Sequence, residues 1–196
     1  MMEVGKFKSV YVIPRDHPWP HATRERLDAL ARRDLPGAFL RALTALGEAR
    51  GDHSIWMLRD LQFEVDLNDE QDDDSIARLW AERLITALAR RIDDPASGGM
   101  IRFDDEAGLL RSFLSTIASG RPREWYHGRY AGYEYLSTTA KIRTAVQSNP
   151  LVGLDALLGM NTRDLRLIVA ALSENDARRV WDSLSVLMPA APCQAS

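Results

Sequence analysis

Between Leu58 and Trp80 the chain reads LRDLQFEVDLNDEQDDDSIARLW, and its hydrophobic period changes partway through. Leu61, Phe63, Val65 and Leu67 alternate with Asp60, Gln62, Glu64 and Asp66, the period of two expected of a strand with one covered face. Six acids then fall within the nine positions from Asp66 to Asp74. After them Ile76, Leu79, Trp80, Leu84, Ala87 and Leu88 share one side of a helix. No single element carries both periods, so an extended segment must hand over to a helix across an acidic corner. That switch places the chain in the α+β class.

The flanking sequence extends the pattern. FKSVYVIP, Phe7 to Pro14, is β-branched and aromatic and predicts a first strand. Pro14, Pro18 and Pro20 interrupt the next stretch, and Thr23 is the expected N-cap of a helix with Leu27, Leu30 and Ala31 on one face. Asp34 and Pro36 mark a kink or a second start. Leu35, Phe39, Leu40, Leu43 and Leu46 continue the stripe to a stop at Gly47. Ile55 and Met57 share the parity of the Leu61–Leu67 strand, but Arg59 breaks it, which predicts a bulge near Leu58. Ser75 or Asp74 is expected to cap the next helix.

DPASGG then reads as a turn and MIRF as a short third strand. Asp105 or Asp104 should cap a helix burying Leu109, Leu110, Phe113, Leu114 and Ile117, with Gly120 as its stop. From Tyr135 onward the pattern is helical only. Asn161 or Thr162 and Ser173 serve as caps, and Ala177, Val180, Trp181 and Leu184 are expected inward in the last helix. The expected organisation is a β-α-β-α subdomain with a small sheet over residues 1–95, a helical subdomain of short packed helices over 96–188, and a flexible tail over 189–196.

Composition bounds the function classes. At 196 residues, 45% hydrophobic and 27% charged, the chain has the make-up of an ordinary globular protein. Its net charge of −3 disfavours nucleic acid as a partner, since such binders usually carry a basic excess. The single Cys193 excludes a disulfide framework and a cysteine-built zinc site, which fits the cytoplasm. No apolar run approaches a membrane span.

Candidate chemistry is sparse. Read as a calcium loop from Asp66, the acidic run puts Gln71 where glycine belongs and Ala77 where glutamate belongs. A solvated corner whose acids complement the helix dipole is the better reading. His17 and His21 are four apart, but Pro18 and Pro20 forbid the helix that would align them on a metal; His53 and His127 stand alone. No HExxH, GxSxG, phosphate loop or dinucleotide fingerprint occurs. No metal, cofactor or catalytic residue is therefore expected. An unrecognised active site would show itself as a polar concavity near His127 with shifted pKa values.

The densest aromatic segment is GRPREWYHGRYAGYEYL, where Trp125, Tyr126, Tyr130, Tyr133 and Tyr135 interleave with Arg121, Arg123 and Arg129. This mixture could stack on single-stranded nucleic acid. It could anchor a protein interface, where Trp, Tyr and Arg dominate hot spots. It could also tuck its rings against the helices. As a protein-binding site its candidate residues are Trp125, Tyr126, Arg129, Tyr130 and Tyr133.

Taken in order, these segments resemble the tape measure proteins of extracellular contractile injection systems. RLDALARRDLPGAFLRALTALG is similar to that family's first long helix, interrupted at a Leu-Pro step. IWMLRDLQFEVDL is similar to its Leu/acid strand, and SIARLWAERLITALARRI to the Leu/Ala/Arg-rich helix after it. LLRSFLSTIASGRPREWY resembles a leucine-rich helix that ends in a Gly-Arg-Leu-Pro-Trp-Trp-like segment, with Gly120, Arg121, Pro122, Trp125 and Tyr126 in that order. The resemblance covers roughly Val10 to Leu187. Even as one helix the chain would reach only about 290 Å at 1.5 Å per residue, so the resemblance implies a short, globular member rather than a ruler. The implied role is a non-enzymatic assembly subunit of a bacterial, phage tail-like machine, with tube, sheath or baseplate subunits as partners. An adaptor in a bacterial defence or signalling complex would use the same physics, and self-association stays open.

Overall fold

The structure is a computed structural model. It describes residues 9–50, 54–68, 70–94 and 99–187, with Ala49 and Arg50 described in backbone only. Phe7, Lys8, His53, most of the DPASGG turn and the 189–196 tail with Cys193 lie outside the described residues. The described chain is α+β and mostly helical, with one small antiparallel sheet of two strands, β1 (Ile55–Leu58) and β2 (Met100–Phe103). It divides into two compact units, residues 1–52 with 60–100 and residues 53–59 with 101–196. The segment 53–59, assigned by sequence to the first subdomain, is grouped with the second unit.

In the first unit, α1 (Pro20–Arg33) begins three residues before the expected cap. Thr23 lies inside it, donating its backbone N–H to the Trp19 carbonyl at 3.0 Å. Pro20 starts the helix because an N1 residue has no intrahelical acceptor to lose and a favourable fixed φ. Asp34 caps the end, and α2 (Leu35–Arg50) starts at once with Pro36 in its first turn, running past Gly47. Leu35, Ala38 and Phe39 are buried, whereas Leu40, expected on that stripe, is exposed.

The acidic corner has a structural role. Asp72, not Ser75 or Asp74, is the N-cap of α3 (Asp73–Asp93): its carboxylate accepts the Ser75 N–H at 2.8 Å and the Ser75 hydroxyl at 2.8 Å. Those bonds hold the Asp72 carboxyl below the usual range. Arg26 of α1 donates to Asp73 at 2.7 Å and to the Gln71 carbonyl at 2.6 Å, tying the corner to the neighbouring helix. Among the described residues no group of three or more His, Cys, Asp or Glu converges as an ion cage. Beneath the corner, Ile76 of α3 closes a cluster with Leu27 and Leu30, and Tyr11 and Leu67 pack against it.

The two strands predicted for this unit are not paired. Burial alternates residue by residue over Ser9–Ile13 and over Leu61–Asn68, as extended backbone requires, but neither stretch belongs to a sheet. The strand that does form in this region is β1, upstream, ending at Leu58 just before the Arg59 break. Period-2 hydrophobicity reports which side of a chain is covered; it does not report whether the backbone edge has a neighbour.

The second unit is a bundle around α4 (Glu106–Ala118), which packs against α5 (Thr138–Ser148), α6 (Pro150–Leu158) and α7 (Thr162–Ala171), while α8 (Glu174–Ser185) packs on α5 and α6. Each helix has a side-chain N-cap, from Asp105, Ser137, Asn149, Asn161 and Ser173 in turn. Gly120, at φ +69°, follows α4 in the left-handed conformation that glycine tolerates best. Leu109, Leu110, Phe113, Leu114, Ile142, Val146 and Ile168 form the centre of the core. Asp176 is buried with Thr139, Ser173 and Arg143 donating to it, the Thr139 bond leading in holding its carboxyl below the usual range.

Trp181 is the main departure in this unit. Expected inward, it is 61% exposed. The covered stripe of α8 is Asp176, Val180 and Leu184, and Trp181 lies one position further round.

Helices approach closely at Gly153 of α6, where an added Cβ would lie 2.8 Å from both the Val146 carbonyl oxygen and its Cγ1. Backbone cannot yield there as a flexible side chain would. Gly153→Ala is therefore expected to lower unfolding free energy by about 1–3 kcal/mol, measured by urea denaturation; an unchanged midpoint would contradict this packing.

Candidate functional site

The aromatic segment, Trp125–Tyr133, forms short 3-10 turns on either side of a kink at His127 (φ −87°, ψ 24°). Such turns have poor hydrogen-bond geometry and stay short, and these pack on α4. Phe113 is 1% exposed. Tyr130 stacks on its ring at 4.1 Å and 19°, with His127 edge-on at 5.5 Å and Tyr133 at 6.4 Å. Tyr126 leans on Phe103 of β2 at 5.8 Å, and Trp125 meets Tyr126 edge-on at 5.5 Å.

The five candidate binding residues thus divide by depth. Tyr130 is buried, and burial pushes its hydroxyl up to about 12. Trp125, Tyr126 and Tyr133 are half-buried, so each keeps part of its surface open. Arg129 is exposed and pairs with Glu106 of the first turn of α4 at 2.6 Å. Tyr135, beyond the run, is 96% exposed.

The neighbouring arginines are largely engaged within the chain. Arg123 donates to the His127 carbonyl at 3.1 Å and to Glu134 at 2.5 Å; Arg121 donates to the Ser119 hydroxyl at 3.0 Å. Two of the three basic side chains in the segment are therefore matched by carboxylates. Arg129–Glu106 has no local signature, because the partners are far apart in sequence. The supporting role of Phe113 is equally silent, since a buried phenylalanine in a helix looks the same whatever it faces.

His127 is fully buried. Its Nε2 lies 3.2 Å from the Ser112 hydroxyl, and its Nδ1 has no partner. An orphaned acceptor is tolerated better than an orphaned N–H, which favours the tautomer with the proton on Nε2, facing Ser112. Burial first, then the charges of Arg123 and Arg121, lower its pKa from 6.5 to about 4. The lowered pKa makes this ring a weak general base near neutral pH. Two grooves occur in the first unit, and His127 lines neither.

Among the described residues no helix is long and apolar enough to cross a membrane. Comparison with family models, curated proteins and solved structures finds no match to this chain.

The depressed pKa has a definite sign. Between pH 6.5 and about 4 the unfolded chain protonates this imidazole and the folded chain does not, so stability falls as pH drops through that window. The loss is at most about 3 kcal/mol. Urea unfolding of the parent and of His127→Gln at pH 7 and pH 4.5 checks it: the parent should lose more stability than the variant, and equal losses would contradict a neutral buried ring.

Proposed function

We propose that this chain is a non-enzymatic assembly subunit that presents the Trp125–Tyr133 surface to partner proteins, in the manner of the contractile injection system tape measure proteins its sequence resembles. The observation that carries the reading is the packing of the segment from behind. Trp125, Tyr126 and Tyr133 keep an open side while Phe103 and Phe113 fix the aromatic cluster, and the Glu106 pair orients Arg129. Rings ordered before binding lose little further entropy on docking, which is where rigid aromatic anchors gain affinity. The in-chain pairing of Arg123 and Arg129 leaves little unmatched positive charge for a phosphate backbone and favours protein over nucleic acid. Tube, sheath and baseplate subunits are the partners this reading names.

Sizing chromatography of the purified chain mixed with those subunits tests it. A complex should form at micromolar concentration, and Trp125→Ala with Arg129→Glu should weaken it by about 30-fold or more with an unchanged circular dichroism spectrum. No complex at that concentration would overturn the role; a complex indifferent to both substitutions would overturn the surface.

A further inference from the structure

We propose that the groove of the first unit receives an extended segment of a partner protein, apolar and basic at alternate positions, by β-strand addition. Its two lips are the stretches Ser9–Pro14 and Leu61–Asn68, every residue of which lines it, with Leu27 of α1 and Ile76 and Trp80 of α3 at its base. One inward side chain of each lip, Tyr11 and Leu67, is engaged with the helices. Tyr11 donates to Asp28 at 3.0 Å and meets Trp80 edge-on at 6.4 Å, and Leu67 joins it against the Leu27, Leu30 and Ile76 cluster. The lips are thus held as extended chain with one face covered.

Among the described residues their backbones have few partners. The Pro14 and Asn68 carbonyls close turns at the lip ends, accepting the His17 and Gln71 N–H at 3.2 Å each. Between those ends, Val10–Ile13 and Leu61–Leu67 make no backbone hydrogen bond to any described residue. Two extended stretches that line one groove, with backbone donors and acceptors unmatched among the described residues, are the kind of edge that an added strand completes. The groove volume, about 1280 Å³, exceeds the roughly 300–1,000 Å³ of small-molecule sites and suits a stretch of polypeptide.

Charge selects the occupant. On the second lip the outward positions are Gln62, Glu64, Asp66 and Asn68, all exposed, with exposed Asp60 just before it. Asp60, Glu64 and Asp66 make no ion pair with a described residue. On the first lip Val10 and Val12 face outward, 79% and 95% exposed. A strand laid between them places its own outward side chains beside carboxylates, where lysine or arginine is favoured and acid is rejected. A second copy of this acidic lip would meet like charge, so the partner is a different chain. This site is separate from the Trp125–Tyr133 surface and does not rest on it.

The test uses the full chain and three labelled octapeptides: alternating valine and lysine, the same with glutamate for lysine, and the lysine peptide with two prolines at valine positions. Fluorescence anisotropy reads binding and hydrogen exchange reads pairing. The lysine peptide should bind saturably and slow exchange at Val10–Ile13 and Leu61–Leu67, and the other two should bind at least about tenfold more weakly. Glu64→Lys with Asp66→Lys, both on exposed positions, should weaken the lysine peptide to the same degree. Trp125→Ala with Arg129→Glu should leave it unchanged, which separates this site from the proposed assembly surface. Absent saturable binding, equal binding of the proline peptide, or protection of the lips by self-association without peptide would each overturn the proposal.

Discussion

Short 3-10 turns are weak on their own hydrogen bonds, and in this chain those flanking the His127 kink rest on Phe113. That ring is common neighbour to Tyr130, His127 and Tyr133, and it belongs to a helix whose other residues, Leu109, Leu110 and Leu114, belong to the core of the bundle. The dependence runs one way. Helix α4 has its Asp105 cap and three helical neighbours of its own, whereas the aromatic segment is placed largely by α4. Truncating Phe113 would therefore cost the usual few kcal/mol of a buried aromatic, about 3–5, and would also release the surface proposed to bind.

The polar contacts around the segment serve orientation more than stability. Arg129–Glu106 and Arg123–Glu134 are partly exposed pairs, and such pairs contribute little after solvent screening and side-chain entropy. Their effect is to set where the side chains point. His127 contributes as a neutral buried ring, packed edge-on against Tyr126 and hydrogen-bonded to Ser112. Carboxylates elsewhere act similarly: Asp72 starts α3, and Asp176 gathers Thr139, Ser173 and Arg143 between α5 and α8.

What the sequence makes legible is local. The caps at Asp105, Asn161 and Ser173 can be named because a side-chain oxygen three residues ahead of a backbone N–H is a sequence-local relation. The break at Asp34–Pro36 and the stop at Gly120 are legible for the same reason. At Asp72 and Trp19 the cap lies a few residues upstream of the one expected, because several polar residues or prolines compete. Partnership across the chain is not legible. The alternation at Leu61–Leu67 gives the covered side correctly and the ladder wrongly, because a ladder depends on a second chain segment at the edge. Trp181 departs from expectation because the covered stripe of α8 runs through a buried aspartate, held by Thr139 and Arg143 of α5, which hydrophobic periodicity does not register. In the aromatic segment the residues can be named but not sorted into the buried Tyr130 and the open Trp125 and Arg129.

The central claim is that the aromatic segment is ordered before any partner arrives. Native-state hydrogen exchange of the isolated chain tests it most directly. The hydrogen-bonded amides of His127, Glu134 and Leu136 should open together with those of Leu109–Leu114 in α4, in one cooperative step. Exchange of the segment within seconds while α4 stays protected would contradict the account.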